Sequence, residues 1–457
     1  MRIISLIVSI LVYLSISIQS SLTEYESLSI ALFTYWILSF LNDIGKKLVV
    51  LDIIILSGIF SYLIMPIIGY HHFDRDNSLA FLWKRFMWVP TETYFGFMFP
   101  AVFALILGLK LPLFFRDKVY KDHTLYMQAV FSYVGKMKWE GLILVVIGVI
   151  ASLFQGIISS SFGHIFFLLS YLLFIGVFYC LYSDFPMKKI VLWAAFSLLI
   201  VRSLMLGMFG ELIFMAIMAT ILLALGKKLT FWGKLSAFVL GIVFILVIQV
   251  VKPEYRSRVW ASSGGEGAGA SLFMELVVEK FNDPSALFKN EVVWFNFYSR
   301  FNQGLYVGLV LRSVPARFPY ANGETINESL AGAIVPRVLW PEKQKAGGVQ
   351  NFKRFLGIDL RGYSVGISPF GEAWGNYGKN GGIVFMFLFG LLFNFIFAWI
   401  LKIAVHTPSL ILWLPLMFFY AVKIETDVFS MVNSLFKACM FTFIMYKVYP
   451  LFFRGRL

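Results

Sequence analysis

Long apolar runs alternate with short polar connections along most of this chain. A helix needs about 20 mainly apolar residues to cross the hydrocarbon core of a membrane, and about twelve runs meet this criterion. They lie near residues 3–19, 26–42, 48–70, 93–114, 140–158, 162–182, 190–206, 208–226, 230–251, 380–402, 406–422 and 430–451. The pattern therefore predicts an all-α polytopic membrane protein. The first run could be a cleaved signal peptide, but it lacks a clear cleavage site, so we favour an uncleaved helix.

One segment, residues 252–379, interrupts this pattern. It is too polar for a membrane span and too rich in Trp, Phe and Leu for a disordered linker. We expect a folded extracytoplasmic loop, with helices over 271–281 and 284–313, between spans nine and ten. The predicted organisation is thus spans one to nine in 1–251, the loop in 252–379, and spans ten to twelve in 380–457.

Composition and charge support the membrane assignment. Hydrophobic residues make up 59% of the chain and charged residues only 14%, whereas soluble domains are about 25% charged. The net charge of +14 would suggest nucleic acid in a soluble protein. Here Lys and Arg concentrate in alternate connections, as at Lys46 and Lys47 and over 110–138, and are absent from 20–25. The positive-inside rule then predicts cytoplasmic termini, an outer loop and no nucleic-acid partner.

Charges near the predicted membrane ends need a reason, because burying them in lipid is costly. Arg202 lies near the outer end of span seven, and Glu211 begins span eight. The two residues could form a structural ion pair, or Arg202 could face an outward cavity and bind an anion. A second charged group follows span eleven: Lys423, Glu425, Asp427 and Lys437. We expect Lys437 to pair with one of the two acids.

The large loop carries further anion-binding candidates. Asn296, Arg300 and Gln303 are spaced i, i+4, i+7 and would share one face of an aromatic helix. Arginine binds phosphate oxygens in a bidentate manner, so a lipid pyrophosphate is a natural ligand. Basic residues continue along the loop at Arg317, Arg337, Lys343 and Arg361. The alternative is an ordinary solvent-facing surface balanced by neighbouring acids.

A glycine-rich segment closes the loop. Ser368 can cap a helix that has Pro369 in its first turn. Glycines 371, 375, 378 and 382 would then form one smooth helical face for close approach of a helix or ligand. Glu372 and Asn376, spaced i, i+4, project together. Glu372 is either a general base or sugar ligand, or a carboxylate favoured by the helix dipole.

Motifs for metals and nucleotides are weak or missing. His71, His72, Asp74 and Asp76 cluster in one outer loop, which is a poor metal signature. Cys180 and Cys439 fall inside predicted spans, where they serve as apolar filler. The sequence has no phosphate-cradling glycine loop, zincin motif or nucleophile elbow. We therefore expect no metal and no other cofactor.

The order of loop motifs resembles the O-antigen or oligosaccharide repeat-unit polymerases (Wzy-type), to which the O-antigen ligases are related. The resemblance spans about 200–382, and the first 200 residues are similar only as generic spans. The motifs are an Arg before the span seven–eight turn, Arg-Phe-Asn-Gln-Gly at 300–304, Pro-Tyr-Ala-Asn-Gly-Glu-Thr at 319–325, Pro-Arg-Val-Leu-Trp-Pro-Glu-Lys at 336–343 and Ser-Pro-Phe-Gly-Glu-Ala-Trp-Gly-Asn-Tyr-Gly at 368–378.

This resemblance implies a polymerase at the outer face of a bacterial cytoplasmic membrane. Such enzymes move a growing glycan from undecaprenyl pyrophosphate onto the next lipid-linked repeat unit, and a flippase and a chain-length regulator of the same pathway are expected partners. Arg202, Arg300 and Arg337 would contact the pyrophosphate, and Glu372 would accept the proton of the attacking hydroxyl. A ligase remains an alternative, although residues 252–379 lack the histidine expected of one. A lipid-linked glycan transporter or flippase is a second alternative, and would predict two related halves.

Overall fold

The computed structural model describes residues 2–73, 77–113, 119–154, 160–261, 269–282, 291–335, 339–344, 346–360, 364–453 and 457. Within these ranges the chain consists of helices joined by turns, with no strand. This agrees with the predicted all-α class.

The first half of the chain forms thirteen α-helices in the described residues. They are α1 Arg2–Gln19, α2 Glu24–Asp43, α3 Val50–Ile59, α4 Met65–His72, α5 Ala80–Phe86, α6 Thr91–Lys110, α7 Thr124–Val134, α8 Glu140–Phe154, α9 Ser160–Ser170, α10 Leu172–Tyr182, α11 Lys188–Leu206, α12 Gly210–Ala224 and α13 Phe231–Ala261. A π-helical turn, Phe60–Ile64, joins α3 to α4 without a break. The ninth predicted span, 230–251, thus continues as helix through Ala261.

The loop and the C-terminal region follow. Their helices are α14 Ala270–Phe281, α15 Glu291–Phe301, α16 Gly304–Ser313, α17 Glu324–Ile334, α18 Val349–Leu356, α19 Ser368–Ala404, α20 Leu414–Met417, α21 Phe419–Val422 and α22 Val428–Phe452, with a 3-10 helix at Pro408–Trp413. The single helix expected over 284–313 is wrong, because the chain leaves helical geometry at Asn302 between α15 and α16.

Eight helical segments are long and apolar enough to cross a membrane. They are Arg2–Gln19, Val50–His72, Thr91–Lys110, Gly163–Tyr182, Lys188–Leu206, Phe231–Val259, Ser368–Ala404 and Val428–Phe452. The other four predicted spans coincide with shorter or more polar helices: α2, α8, α12 and the segments over 408–422. A helical membrane protein is therefore supported, while the count of twelve stays a prediction.

Close helix crossings hold the bundle together. Helices α6 and α19 meet at Gly108 and Gly390, where a Cβ atom would lie 2.2 Å from the Phe387 carbonyl oxygen and 2.4 Å from the Leu105 carbonyl oxygen, respectively. Glycine permits this approach, as in many membrane helix pairs. The Asn394 amide then donates to the carbonyl oxygens of Gly108 and Leu111 at 3.0 and 2.8 Å. This satisfies backbone acceptors at the end of α6 that the helix itself leaves unpaired.

The predicted glycine face of α19 is not continuous. Gly378 has φ 66° and ψ −160°, so it interrupts the helix between Tyr377 and Lys379. Tyr320 packs against this position, 3.2 Å from where a Cβ would stand. A left-handed φ favours glycine, and regular spacing along a sequence cannot reveal it. The first ten residues of α19 therefore belong structurally to the loop, and the rest to the membrane bundle.

Candidate functional site

Four basic side chains from distant parts of the chain come together with one acid at one end of the bundle. Lys252 and Arg256 lie on α13, Arg300 lies near the end of α15, and Lys423 precedes α22. Lys252 interacts electrostatically with Arg256, Arg300 and Glu425, and Lys423 interacts with Glu425 and Arg300. We call these four cations and Glu425 the cationic cluster.

An ion pair lies at the centre of the cationic cluster. The two terminal nitrogens of Arg300 donate to the two carboxylate oxygens of Glu425 at 2.7 and 3.0 Å. The side chains are 43% and 33% exposed, so both reach solvent. Burial opposes ionisation of Glu425, but the Arg300 guanidinium outweighs it and holds the pKa of this carboxyl below its usual range. The pair is therefore fully charged at neutral pH.

The backbone around Arg300 fixes where its side chain emerges. Helix α15 ends at Phe301, and the buried Gln303 donates its side-chain amide to the Arg300 carbonyl oxygen at 3.0 Å. This hydrogen bond helps to hold the backbone of Arg300 in place. The predicted face of Asn296, Arg300 and Gln303 is only partly realised, because Asn296 is exposed while Gln303 is 7% exposed.

Helix α13 brings its two cations to the end of α11. The Tyr255 hydroxyl donates to the Leu204 carbonyl oxygen at 2.9 Å, and Arg256 Nε donates to the Gly207 carbonyl oxygen at 2.7 Å. Gly207 ends α11 with a left-handed φ of 61°. Arg202 lies one turn earlier, with its guanidinium 4.0 Å from the Glu211 carboxylate. The predicted contact between Arg202 and Glu211 is therefore present as a long ion pair.

Lys423 is held over an aromatic ring beside Glu425. Its ammonium lies 3.7 Å from the centre of the Phe419 ring, a distance that favours a cation–π interaction. Burial lowers the pKa of Lys423 to about 8, although Glu425 and Glu211 favour its charged form. The side chain is thus charged at neutral pH and loses its proton in mildly alkaline solution.

Among the described members of the cationic cluster, cations outnumber acids. Three of the four cations interact with Glu425, and the neighbouring Glu211 pairs with Arg202. Like charges this close cost free energy unless an anion joins them. The cluster lies at the end of the membrane helix α13, where its cations can meet a ligand at the membrane surface. The arrangement suits a multivalent anion such as a phosphate or pyrophosphate.

Glu372 lies in a different environment. It is 0% exposed, and one carboxylate oxygen accepts from the Val428 amide at 2.7 Å. The other accepts from the Thr325 hydroxyl at 3.4 Å. Asn376 lies one turn along, where its amide nitrogen donates to Thr325 Oγ1 at 2.8 Å and its oxygen accepts from the Gly323 amide at 3.1 Å. We call Glu372, Asn376 and Thr325 the buried network.

The buried network joins three elements. It connects the start of α19, the start of α17 and the first amide of α22. Asp427 completes the start of α22, since its side chain accepts from the Ser430 amide at 2.8 Å. Burial raises the pKa of Asp427 above its usual range. The i, i+4 pairing predicted for Glu372 and Asn376 is present, and it points into protein rather than toward a cavity.

The remaining predicted site residues are dispersed. Lys343 is 4% exposed and donates to the carbonyl oxygens of Gly332 and Val335 at 2.8 and 2.7 Å, at the end of α17. Arg317 is exposed after α16. Arg337 and Arg361 lie outside the described residues, and their predicted roles stay predictions.

Each histidine of the predicted histidine loop lies beside a glutamate. His71 lies 3.0 Å from Glu26, and His72 lies 3.4 Å from Glu291. Asp74 and Asp76 lie outside the described residues. Among the residues that the structure describes, no group of three potential metal ligands is found.

Two members of the cationic cluster escaped the sequence analysis. Lys252 and Arg256 are spaced i, i+4 directly after the apolar run of the ninth span. The predicted loop begins at residue 252, whereas the helix continues through both residues and brings them near Arg300. Their spacing at the end of a span was the available signal, because cations on one helix face beside a membrane need an acid or a ligand.

Comparison with known proteins gives one result. A family model described as a domain of unknown function (DUF8712) matches residues 47–403, which is most of the chain. No curated protein and no solved structure matches. The matched region contains α3 to nearly the end of α19, and so includes Lys252, Arg256, Arg300 and Glu372 but not Lys423 or Glu425.

Proposed function

The chain belongs to the DUF8712 family, whose description assigns no activity, and we propose from its site that it is a glycosyltransferase that polymerises lipid-linked oligosaccharides. The donor is a glycan on undecaprenyl pyrophosphate, and the acceptor is a sugar hydroxyl of the next lipid-linked repeat unit. The reaction takes place at the outer face of a bacterial cytoplasmic membrane and builds a surface polysaccharide.

The cationic cluster is the observation that carries this proposal. A pyrophosphate ester leaves with two or more negative charges, and Arg300, Arg256, Lys252 and Lys423 supply four positive ones. Preorganised cations of this kind stabilise charge that develops on a leaving group in the transition state. The lipid part of the carrier stays in the membrane, and the end of the membrane helix α13 is where its headgroup would be.

The parts of the chain that supply the cationic cluster also support a site beside the loop. Helix α15 of the loop contributes Arg300, and the turn before α22 contributes Lys423 and Glu425. An acceptor glycan approaching from the loop side would meet the pyrophosphate at this junction. Such an enzyme needs no nucleotide, in keeping with the absence of a nucleotide-binding motif from the sequence.

Reconstitution tests the proposal. The purified protein in detergent micelles is incubated with lipid-linked oligosaccharide extracted from the source cells, and the products are separated by chain length. We expect longer lipid-linked glycans with the wild type, and loss of at least about a hundredfold in rate for Arg300→Gln and Arg256→Gln.

Arg258→Gln is the matched control, since Arg258 lies on the same helix as Arg256 but faces Glu254 and Glu279. This variant should elongate glycans like the wild type. Wild-type protein that transports the lipid across vesicles without lengthening its glycan would overturn the proposal in favour of a flippase. Equal loss in Arg258→Gln would remove the assignment of the cluster.

A further inference from the structure

Glu425 is an acidic side chain within a group of cations that suits the binding of an anion. Among the described cluster members it is the acidic one, surrounded by Arg300, Lys423 and Lys252. Its side chain is 33% exposed, and both oxygens are occupied by a single guanidinium. The forked geometry, within a group of charges, lets this pair contribute to stability despite its partial exposure. That exposure also leaves the Arg300 guanidinium open to a competing anion.

A bound pyrophosphate would compete with Glu425 for Arg300. Phosphate oxygens accept the same forked pair of N–H donors that the carboxylate now accepts, and they carry more charge. When Arg300 turns to the pyrophosphate, Glu425 loses its strongest partner. What remains around it is burial, which raises the pKa of a carboxyl, together with Lys423 and Lys252. The freed carboxylate would be a stronger base than the paired one.

We propose that Glu425 is the general base of the transfer reaction and that Arg300 holds it inactive until the pyrophosphate of the donor displaces it. This inference rests on the proposed function and adds to it an identity for the base and a coupling between donor binding and base activation. Before the donor binds, Glu425 stays paired with Arg300 and does not deprotonate an acceptor hydroxyl.

Glu425 takes the proton of the acceptor hydroxyl as that oxygen forms a bond to the anomeric carbon of the donor glycan. The bond between the anomeric carbon and the pyrophosphate oxygen breaks, and its electron pair leaves with undecaprenyl pyrophosphate. Arg300 and the three other cations of the cluster hold the charge on this leaving group.

Glu372 and Asp427, two other acids near this junction, are unsuited to the role. Glu372 is 0% exposed, and its oxygens accept from the Val428 amide and the Thr325 hydroxyl. Asp427 is 1% exposed and caps α22 through the Ser430 amide. Backbone amides are fixed in position, so a substrate cannot displace them from these carboxylates. Glu425 differs from Glu372 and Asp427 because its partner is a guanidinium, which a phosphate can also bind.

Glu425→Gln separates binding from chemistry. The variant removes the charge that competes for Arg300, so undecaprenyl pyrophosphate should bind roughly twofold to fivefold more tightly. It also removes the base, so glycan elongation should fall by at least about a hundredfold in kcat. Binding is measured with undecaprenyl pyrophosphate in detergent, and elongation with lipid-linked oligosaccharide from the source cells. Tighter binding would itself show that the variant is folded.

Glu324→Gln is the matched control, because Glu324 forms a similar exposed pair with Arg354 at 3.1 Å elsewhere on the loop. It should change neither binding nor elongation. Elongation by Glu425→Gln at the wild-type rate, or weaker carrier binding, would overturn the inference while leaving the polymerase intact. If the wild type neither binds the carrier nor elongates glycans, the proposed function itself fails.

Discussion

Two glutamates near the start of α22 show how the same side chain takes different roles from different partners. Glu372 is sealed in protein and bonded to the Val428 amide, whereas Glu425 is partly exposed and bonded to the Arg300 guanidinium. Removing the first leaves buried donors unpaired, and removing the second releases a cation. The buried network is therefore expected to hold the fold, and the cationic cluster to bind a ligand.

Replacing Glu372 gives the sharpest test of this contrast and the largest expected effect. In Glu372→Ala the Val428 amide and the Thr325 hydroxyl lose an acceptor within a buried region. Each buried group left unsatisfied costs about 1–3 kcal/mol, so the free energy of unfolding should fall by roughly 2–5 kcal/mol. Thermal unfolding of the purified protein followed by intrinsic fluorescence would measure the change.

A matched control uses an exposed acid of the same loop. Glu328 on α17 is exposed, so Glu328→Ala should leave the unfolding temperature within about one degree of the wild type. A Glu372→Ala protein that keeps the wild-type unfolding temperature and loses elongation instead would reverse the comparison. It would return Glu372 to the catalytic role suggested by the sequence.

Lys343 offers a second, smaller test, because its predicted role in binding pyrophosphate competes with the contacts that it makes. Its ammonium donates to two carbonyl oxygens at the end of α17. Lys343→Met should lower the free energy of unfolding by about 1.5–3 kcal/mol, since hydrogen bonds from a charged group are worth more than neutral ones. Chemical denaturation measures this, with exposed Lys353→Met as the control. An unchanged stability would restore Lys343 to the ligand candidates.

The smallest expected effect concerns pH. Lys423 has a pKa lowered to about 8, so its charge is present at pH 7 and is lost as the pH rises through 8. Affinity for undecaprenyl pyrophosphate should therefore fall by about twofold to tenfold between pH 7 and 9. Lys423→Arg keeps its charge over that interval and should lessen this decline. A decline of equal steepness in both proteins would place the titrating group elsewhere.

Much of the fold could be predicted from the sequence because apolar run length reports directly on membrane helices. Helices lie at each of the predicted spans, although four of them are shorter or more polar than a typical span. Two features could not be foreseen. The break at Gly378 depends on a backbone angle, and the exit from helix at Asn302 follows from tertiary packing, neither of which alters the apolar spacing.

The site was only partly predictable for a related reason. Arg300 stands out because its helix is otherwise aromatic, and Glu425 because it belongs to a charged group that follows a predicted span. Their partnership joins residues 125 positions apart, and no local spacing signals it. Lys252 and Arg256 could be assigned to the site only from the true end of α13, which lies beyond the end of the apolar run. Glu372 attracted interest as an isolated acid among glycines, and only its contacts with Val428 and Thr325 reveal what it does.

The interruption of α19 at Gly378 bears on how this chain can vary in length. In an unbroken helix, one inserted residue rotates everything beyond it by about 100°. Here the dihedral angles of Gly378 separate the segment that carries Glu372 and Asn376 from the membrane-crossing remainder. A change in the dihedral angles of Gly378 can compensate for such a rotation. The membrane half can thus be lengthened to suit a thicker bilayer while the buried acid keeps its direction.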